Sequence, residues 1–301
     1  MSKKKLITHN GSYHADDVFA CAALILMLRQ KGEDWEIIRT RDPEIIETGD
    51  YVFDVGGVYD ENANRFDHHQ IGGAGKREDG IDYASFGLVF AKFGQGICGD
   101  AEVANIVNKK LVSPIDAGDN AIDLVEYKGE IKPYFIQNAF QSFRPTSKNI
   151  SEESLLEAFL QCVELGKKIL SNEINLAADT LLAKKSVASC YAKAEDKRII
   201  VLDGKYPWAE EIINYPEPFF VVFPKVDGSW SAETVPKVLY TFERRINFPP
   251  EWGGLRDEEL GKISGVPDAV FCHRGLFICV AKSREGAEAL ANKAIKSKNT
   301  F

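Results

Sequence analysis

The chain has 301 residues, a formal net charge of −8 at pH 7 and an apolar fraction of 45%. This length predicts two ordinary domains, because single hydrophobic cores stop growing at about 250–300 residues. The apolar fraction lies in the globular range and argues against extensive disorder. The acidic balance excludes a surface that holds nucleic acid by general phosphate neutralisation, so a phosphate-rich substrate needs a local positive attractor.

The cysteines and the N-terminal residues predict a cytoplasmic protein. None of the six cysteines forms a CxxC pair, so we expect reduced and mostly buried thiols. The apolar stretch in MSKKKLITHN is too short for a signal peptide. The longest apolar run, Val18 to Leu28, is shorter than the roughly 20 residues that span a bilayer. We therefore expect no membrane association, and a homo-oligomer stays an open alternative.

The first half of the chain alternates between strand and helix patterns. LITHN is expected to end a buried strand, VFACAALILML to form a helix, and residues 35–41 and 50–56 to form two further strands. The glycine-rich stretch GGAGKREDG is interpreted as a mobile surface loop, and helices are expected over 84–93 and 101–111. This alternation predicts a largely parallel sheet with flanking helices, in which ligands gather beyond the carboxyl ends of the strands.

The second half of the chain predicts a helical connector and a smaller α/β domain. Residues 151–195 begin with SEESLLEAF and show the pattern of a long amphipathic helix followed by a second one. RIIVLDG, PFFVVFPKVDGSWSAETV and AVFCHRGLFICVAKS are expected to be strands, with a closing helix after them. We therefore expect domains over 1–150 and 196–301, with the active site in a cleft between them.

Many potential metal ligands lie at or near the ends of the predicted strands. They are His9, His14, Asp16, Asp17, Asp54, Asp67, His68, His69, Asp116 and Asp119. Four of the five histidines of the chain belong to this set. Mixed imidazole and carboxylate donors suit manganese, magnesium, cobalt or zinc. The number of carboxylates predicts two ions, which would activate water for attack on a phosphoester or phosphoanhydride.

Taken singly, each of these residues has a simpler interpretation. Asp16 or Asp17 would serve as a helix cap, which their position before an apolar run fits well. Asp54 would start a turn, and Asp116 and Asp119 would be solvated helix carboxylates. Only the joint pattern favours a metal centre over these interpretations.

Four motifs, HNGSYHADD, DVGG, RFDHHQ and IDAGDN, follow one another in the first half of the chain. In this order they resemble the DHH phosphoesterase superfamily, and more closely its Myg exonuclease family, whose members include a 3′ to 5′ RNA exonuclease. WSAETVP, ERRINFPPEWGGLRDEEL and VFCH in the second half are also similar to that family. The resemblance thus spans nearly the entire chain. It implies two divalent ions, usually manganese, and an RNA or short-oligonucleotide end as the substrate.

The resemblance also implies a set of metal ligands in this sequence. They are His9, His14, Asp16, Asp54, His68 and Asp116. His9 and His14 would serve one ion, Asp54 would bridge the two ions, and the remaining residues would complete the second site. His14 stands where the wider superfamily more often has an aspartate. This substitution favours a more nitrogen-rich site that would also accept zinc.

The resemblance gives His69 a catalytic position, facing the scissile phosphate or the attacking water. Asp67 would orient a ligand histidine, as imidazoles that bind metals usually require. Asp17 and Asp119 stay open between a capping role and a direct role in the site.

Four residues of the second domain are candidates for binding phosphate. Arg244, Arg245 and Arg256 offer bidentate donors matched to phosphate oxygens, and His273 ends a predicted strand just before a glycine. The simpler interpretation of the arginines is a solvated surface. Trp252 would either stack on a base or belong to the core.

These expectations combine into a metal-dependent phosphodiester hydrolase, with a 3′ to 5′ exonuclease as the first hypothesis. One alternative is a hydrolase of small nucleotides or pyrophosphate that uses the same ions. The other alternative is a non-catalytic binding module that metal stabilises.

Overall fold

The computed structural model describes residues 2–298 of the chain. They divide into two compact units, one ending at Ala178 and the other beginning at Asp179. The boundary falls inside a single long helix, Glu152–Lys193, where the sequence predicted two consecutive helices. Within the described residues, no helix combines the length and the apolar character that crossing a membrane requires.

The first unit is built on a five-stranded sheet. Its strands are β1 (Lys4–Thr8), β2 (Trp35–Arg39), β3 (Tyr51–Phe53), β4 (Tyr59–Asp60) and β5 (Arg65–Phe66). The strand order is β2-β1-β3-β5-β4, and all neighbouring pairs are parallel except β4 with β5. The predicted largely parallel sheet is therefore confirmed. The sequence missed β4 and β5 because strands of two residues are too short to show alternation.

Helices flank this sheet. In chain order they are α1 (Ala15–Lys31), α2 (Pro43–Glu47), α3 (Ser85–Cys98), α4 (Ala101–Val107), α5 (Ser113–Asp119), α6 (Ile136–Gln141) and α7 (Glu152–Lys193). The side chains from Val18 to Leu24 in α1 are fully buried, because this helix contacts strands β1 and β3 and also helices α3, α5 and α6. An all-apolar helix surface is the pattern that such a position requires.

A π-helical turn over Asn108–Val112 joins α4 to α5 without a break. Pro114 lies in the first turn of α5, where a proline is tolerated because few helical hydrogen bonds are lost with its missing N–H. Turns of this kind are frequent at functional sites. The continuous path carries the chain to Asp116 and Asp119 at the end of α5.

The second unit contains its own five-stranded sheet. Its strands are β6 (Ile199–Val201), β7 (Phe220–Pro224), β8 (Trp230–Thr234), β9 (Ala269–Cys272) and β10 (Ile278–Ala281), in the order β6-β7-β8-β10-β9. Only β6 and β7 pair in parallel. Helices α8 (Ala209–Ile212), α9 (Asp257–Ser264) and α10 (Arg284–Lys298) complete the unit. A smaller α/β unit with a hairpin at Asp227–Gly228 is therefore confirmed.

Trp252 belongs to the core of the second unit. Of its two predicted roles, stacking on a base or packing in the core, the structure shows the second. Its side chain is 4% exposed and lies in a cluster with Phe220, Phe248 and Leu260. The ring stacks on Phe248 at a centroid distance of 6.0 Å. A base has no access to this ring in the structure.

Candidate metal centre

The predicted ligands follow three neighbouring parallel strands. His9 follows β1, Asp54 follows β3, and the triplet from Asp67 to His69 follows β5. Because β1, β3 and β5 are adjacent in the sheet, their carboxyl ends meet at one edge. The fold therefore brings together residues that are up to 60 positions apart in the chain.

Asp54 lies between two histidines, with one carboxylate oxygen toward each. Its Oδ2 is 3.1 Å from Nε2 of His9, and its Oδ1 is 3.4 Å from Nε2 of His68. Nε2 of His9 also lies 3.3 Å from Oδ2 of Asp17. Nε2 of His68 lies 3.1 Å from Oδ2 of Asp119. A carboxylate placed in this way has the geometry to bridge two cations.

Three sets of potential ligand atoms lie within 4.8 Å of one another. They are His9, His14 and Asp54; Asp54, His68 and His69; and His14, Asp16 and Asp119. Asp54 and His14 each belong to two of these sets. The sets therefore form one connected cluster rather than separate sites.

Several buried polar atoms of the cluster have no hydrogen-bond partner among the described residues. They include both carboxylate oxygens of Asp16. Oδ2 of Asp17 and Nε2 of His68 are close to the charged neighbours named above but lack good hydrogen-bond geometry. A buried carboxylate without a partner costs several kcal/mol in typical proteins, and such groups are rare unless they bind an ion. Oxygen and imidazole donors left in this state fit divalent cations such as Mn²⁺.

The pKa values of the cluster are shifted by burial and by the close approach of its carboxylates and imidazoles. Burial raises the pKa of Asp16 well above its usual value, and the negative charges of Asp54 and Asp119 raise it further. Burial lowers the pKa of His9 and His68, but the carboxylates beside each imidazole outweigh it and raise both values to about 10. Protons on the imidazoles thus supply positive charge where divalent cations would otherwise supply it.

The backbone at Asp54 has an unusual conformation. Its φ is +55°, in the left-handed region that only Asn, Asp and Gly adopt with any frequency. Strained backbone of this kind concentrates at functional sites. Ser85, the first residue of α3, donates a hydrogen bond to Oδ1 of Asp54 at 3.4 Å. No sequence pattern pointed to Ser85, because a serine at a helix start is common.

Asp67 organises the triplet that contains His68 and His69. Its Oδ1 accepts hydrogen bonds from the backbone N–H of His68 at 2.7 Å and from Nδ1 of His69 at 2.8 Å. Its Oδ2 accepts from the N–H of Gly57 at 2.6 Å. The side chain of His69 is 62% exposed. Asp67 therefore orients the imidazole of His69, whereas the resemblance implied that it would orient a metal-binding histidine.

Asp116, a predicted ligand, has a different role in the structure. Its Oδ2 accepts from Nη2 and Nε of Arg77 at 2.5 and 3.1 Å, and its Oδ1 accepts from the N–H of Gly87 at 3.0 Å. Asp116 is fully buried and belongs to none of the three ligand sets. Asp119, one helical turn later, approaches His68 instead.

Arg77 also corrects the interpretation of the glycine-rich stretch as a mobile loop. The arginine is buried, and its Nη1 donates to Oδ1 of Asn108 at 2.7 Å. A backbone bridge pairs Lys76 with Asp82 on either side of the turn. The loop is therefore anchored to the helices behind the metal centre through its own arginine.

Three further arginines that the sequence did not single out surround the first loop. Arg39 donates to the carbonyl oxygen of Gly11 at 3.0 Å, and Arg144 donates to that of Tyr13 at 2.8 Å. Nη2 of Arg41 lies 3.2 Å from Nδ1 of His9. The two contacts to backbone carbonyls fix the loop that follows His9, and an arginine in β2 shows no pattern that would predict such a contact.

Arg245, one of the predicted phosphate ligands, binds backbone carbonyls. Its Nη1 donates to the oxygens of Tyr215 and Pro218 at 2.5 and 3.0 Å, and its Nη2 donates to that of Ile213 at 2.9 Å. This guanidinium therefore holds the backbone of the segment from Ile213 to Pro218 in place.

The other three candidates of the second unit lie against two phenylalanine rings. The guanidinium of Arg244 lies 5.5 Å from the ring centre of Phe277, and the His273 ring lies 4.4 Å from it. The guanidinium of Arg256 lies 4.5 Å from the ring centre of Phe271. His273 is exposed, and its Nδ1 accepts from the N–H of a nearby glycine at 2.9 Å.

Two glycines of α3 provide a test of the contact between Arg77 and Asp116. A methyl group on Gly87 would overlap the Asp116 carboxylate and the Arg77 guanidinium, whereas one on Gly96 would meet open space. We expect Gly87→Ala to lower the free energy of unfolding by about 1–3 kcal/mol because the site is fully packed. Gly96→Ala should raise it by about 0.5–1 kcal/mol, since alanine favours the helix. Urea denaturation of both variants checks this, and equal effects would contradict it.

A pair of substitutions separates the roles of Asp116 and Asp119. We expect Asp119→Asn to weaken Mn²⁺ binding at least about tenfold, since it removes a donor beside His68. Asp116→Asn should instead lower the stability of the metal-free protein by about 3–5 kcal/mol, because Arg77 would lose its buried partner charge. Thermal unfolding with and without Mn²⁺ measures both effects. Loss of metal binding in Asp116→Asn alone would reverse the assignment.

Metal binding should release protons and tighten as the pH rises. His9 and His68 have pKa values of about 10 in the metal-free protein, so both imidazoles carry a proton at pH 7. An imidazole must lose that proton before its nitrogen can bind an ion. We expect at least about two protons released per protein, because Asp16, whose pKa is also raised, adds to the two imidazoles, and higher affinity at pH 8 than at pH 6. Calorimetry of Mn²⁺ binding in buffers of different ionisation enthalpy would reject this if the measured heat did not depend on the buffer.

Comparisons with known proteins identify relatives along the whole chain. A family model named MYG1_exonuc, described as an uncharacterised protein family (UPF0160), matches residues 5–295. A MYG1 protein of Dictyostelium discoideum is 30% identical over 324 residues, which cover 98% of this chain and 97% of the relative. The MYG1 exonuclease of Homo sapiens is 28% identical over 335 residues, which cover 99% and 88% of the two chains.

A MYG1 protein of Chlamydia pneumoniae is 31% identical over 300 residues, which cover 93% of each chain. A crystal structure of exonuclease RecJ bound to manganese covers 99% of this chain and 91% of its own at 14% identity, but with a TM-score of 0.26 the likeness carries no weight here. The match to the family model extends over nearly all of the sequence. The chain belongs to the MYG1_exonuc family (UPF0160).

Proposed function

We propose that this protein is a metal-dependent phosphodiester hydrolase, and specifically a 3′ to 5′ exonuclease on RNA or short oligonucleotides in the cytoplasm. The observation that carries the proposal is the position of Asp54 between His9 and His68, with one oxygen toward each imidazole. The activity in the name of the human relative supports the same reaction class. The RFDHHQ motif supports placement of the family in the DHH phosphoesterase superfamily.

The proposed centre holds two divalent ions, with manganese as the first candidate and magnesium, cobalt or zinc as alternatives. The proposed ligands are His9, His14, Asp16, Asp54, His68 and Asp119. This set differs from the one expected from the sequence in a single place, where Asp119 replaces Asp116. Ions held in this way supply a nucleophilic water at neutral pH and positive charge for the phosphate oxygens.

His69 is the proposed general acid or base. Nδ1 of His69 lies 2.8 Å from Oδ1 of the buried Asp67, which favours the tautomer with its proton on Nδ1. Nε2 is then free to accept a proton, and the Asp67 carboxylate stabilises the imidazolium that results. The exposure of the His69 side chain gives a substrate access to this nitrogen.

In the second unit, Arg244, Arg256 and His273 remain the proposed phosphate-binding residues. Arginine and imidazolium groups match phosphate oxygens in charge and in hydrogen-bond geometry. Arg245 is left out of this set because three backbone carbonyls already accept its hydrogen bonds.

Single-stranded RNA labelled at its 5′ end tests the proposed activity directly. With Mn²⁺, we expect a ladder of products that shorten from the 3′ end and no cleavage after chelation. His69→Ala should lower kcat by about 10²–10⁴-fold, the usual contribution of a general acid or base. Asp54→Asn should abolish activity, since it replaces the carboxylate that is proposed to bridge the two ions with an uncharged amide. Glu36→Gln, at an exposed position on β2, serves as the matched control and should retain activity.

The same assay separates the proposal from its two alternatives. Hydrolysis of pyrophosphate or dinucleotides without shortening of longer RNA would favour the small-nucleotide hydrolase. An unfolding temperature raised by Mn²⁺ without hydrolysis of any phosphoester would favour the binding module. Shortening from the 5′ end would contradict the proposed direction alone.

A further inference from the structure

A cavity of about 710 Å³ in the first unit begins at the metal centre. His14, Asp16, His69 and Asp119 contribute to its wall. Small-molecule sites in proteins usually enclose roughly 300–1,000 Å³, so this cavity is large enough for a substrate group. A phosphate held by the centre would place the group bonded to it in or at the mouth of this cavity.

Much of the remaining wall is apolar or aromatic. It includes Ile122, Leu124, Tyr127 and Phe135, which come from residues 121–135 between α5 and α6. This segment forms neither helix nor strand, and three of these four side chains are exposed. Exposed apolar side chains that gather beside a polar centre mark a binding surface. The segment therefore offers a surface for a planar apolar group next to the phosphate position.

The charge of the wall disfavours further phosphates in the cavity. Outside the proposed metal ligands, Asp123 is acidic, and the single lysine or arginine in the wall, Lys110, forms a salt bridge with Glu173 at 2.7 Å. A continuing nucleic-acid strand would place phosphates near the Asp123 carboxylate. An uncharged base avoids this repulsion.

We propose that this cavity binds the nucleobase of the terminal nucleotide, whose phosphate lies at the metal centre. The proposal rests on the proposed function, since it assigns a subsite for the substrate of that reaction. The Tyr127 ring, which the ammonium of Lys132 approaches at 5.2 Å, is the stacking residue. The subsite would select strand ends over internal positions, because its wall admits one base and repels the next phosphate.

Two RNA substrates test the subsite in the Mn²⁺-loaded protein. One has a natural 3′-terminal nucleotide, and the other has a tetrahydrofuran abasic residue there. We expect the wild-type KM to be about tenfold higher for the abasic end, since stacking of one base is worth about this factor or more. Tyr127→Ala should raise KM about tenfold for the natural end and leave KM for the abasic end unchanged. An equal wild-type KM for the two ends would overturn the proposal.

Tyr134→Ala is the matched control, because Tyr134 is a tyrosine of the same segment that is 73% exposed and absent from the cavity wall. It should retain the wild-type KM for both substrates. Circular dichroism checks that both variants are folded. If Tyr127→Ala and Tyr134→Ala gave the same KM values, stacking on Tyr127 would be refuted.

A binding measurement on the metal-free protein separates this proposal from the proposed function. Saturation-transfer NMR with adenosine should transfer signal to the base protons in the wild type and in Tyr134→Ala, but not in Tyr127→Ala. This result would support the subsite even if no oligonucleotide were hydrolysed, and the exonuclease proposal alone would then fail. Absence of transfer in the wild type would overturn the subsite even in an active exonuclease.

Discussion

The repulsion among buried carboxylates at one edge of the first sheet is the constraint on which the rest of the structure depends. Asp16, Asp17 and Asp54 are all buried, and Asp119 lies beside them. Like charges this close cannot all stay ionised in a buried space without compensating cations. In the metal-free protein, protons on the imidazoles of His9 and His68 supply part of that positive charge. The same requirement for positive charge makes the cluster a candidate ligand set for divalent ions.

Around this cluster, other charged residues hold the segments that carry the ligands in position. The ion pair of Arg77 with Asp116 fixes the glycine-rich loop to α5, and Asp67 fixes the turn after β5. The Asp116 carboxylate also accepts a hydrogen bond from the N–H of Gly87 in α3. Arg39 holds the loop after β1 through a backbone carbonyl. Ligands keep their orientation only when such outer contacts are in place. This explains why a buried ion pair, which by itself adds little stability, occurs so close to the centre.

The acidic net charge and the proposed nuclease activity are compatible because the attraction is local. A chain with a formal charge of −8 repels a polyanion in general, but the proposed divalent ions at one edge of a sheet would reverse the field there. The neighbouring cavity contributes apolar contact rather than charge. Recognition of a strand end would therefore combine a phosphate at the ions with a base against Tyr127.

The sequence by itself determined the parallel sheet and the placement of histidine and aspartate motifs at its strand ends, since periodicity and residue type are local properties. Only the tertiary structure showed that Asp116 pairs with Arg77, 39 residues earlier in the chain, and that Asp119 lies beside His68. It also decided that Arg245 binds backbone carbonyls. The cavity formed by residues 121–135 had no sequence signal, because an irregular segment has no period. Partner choice among side chains is set by contacts between distant elements, which no local pattern encodes.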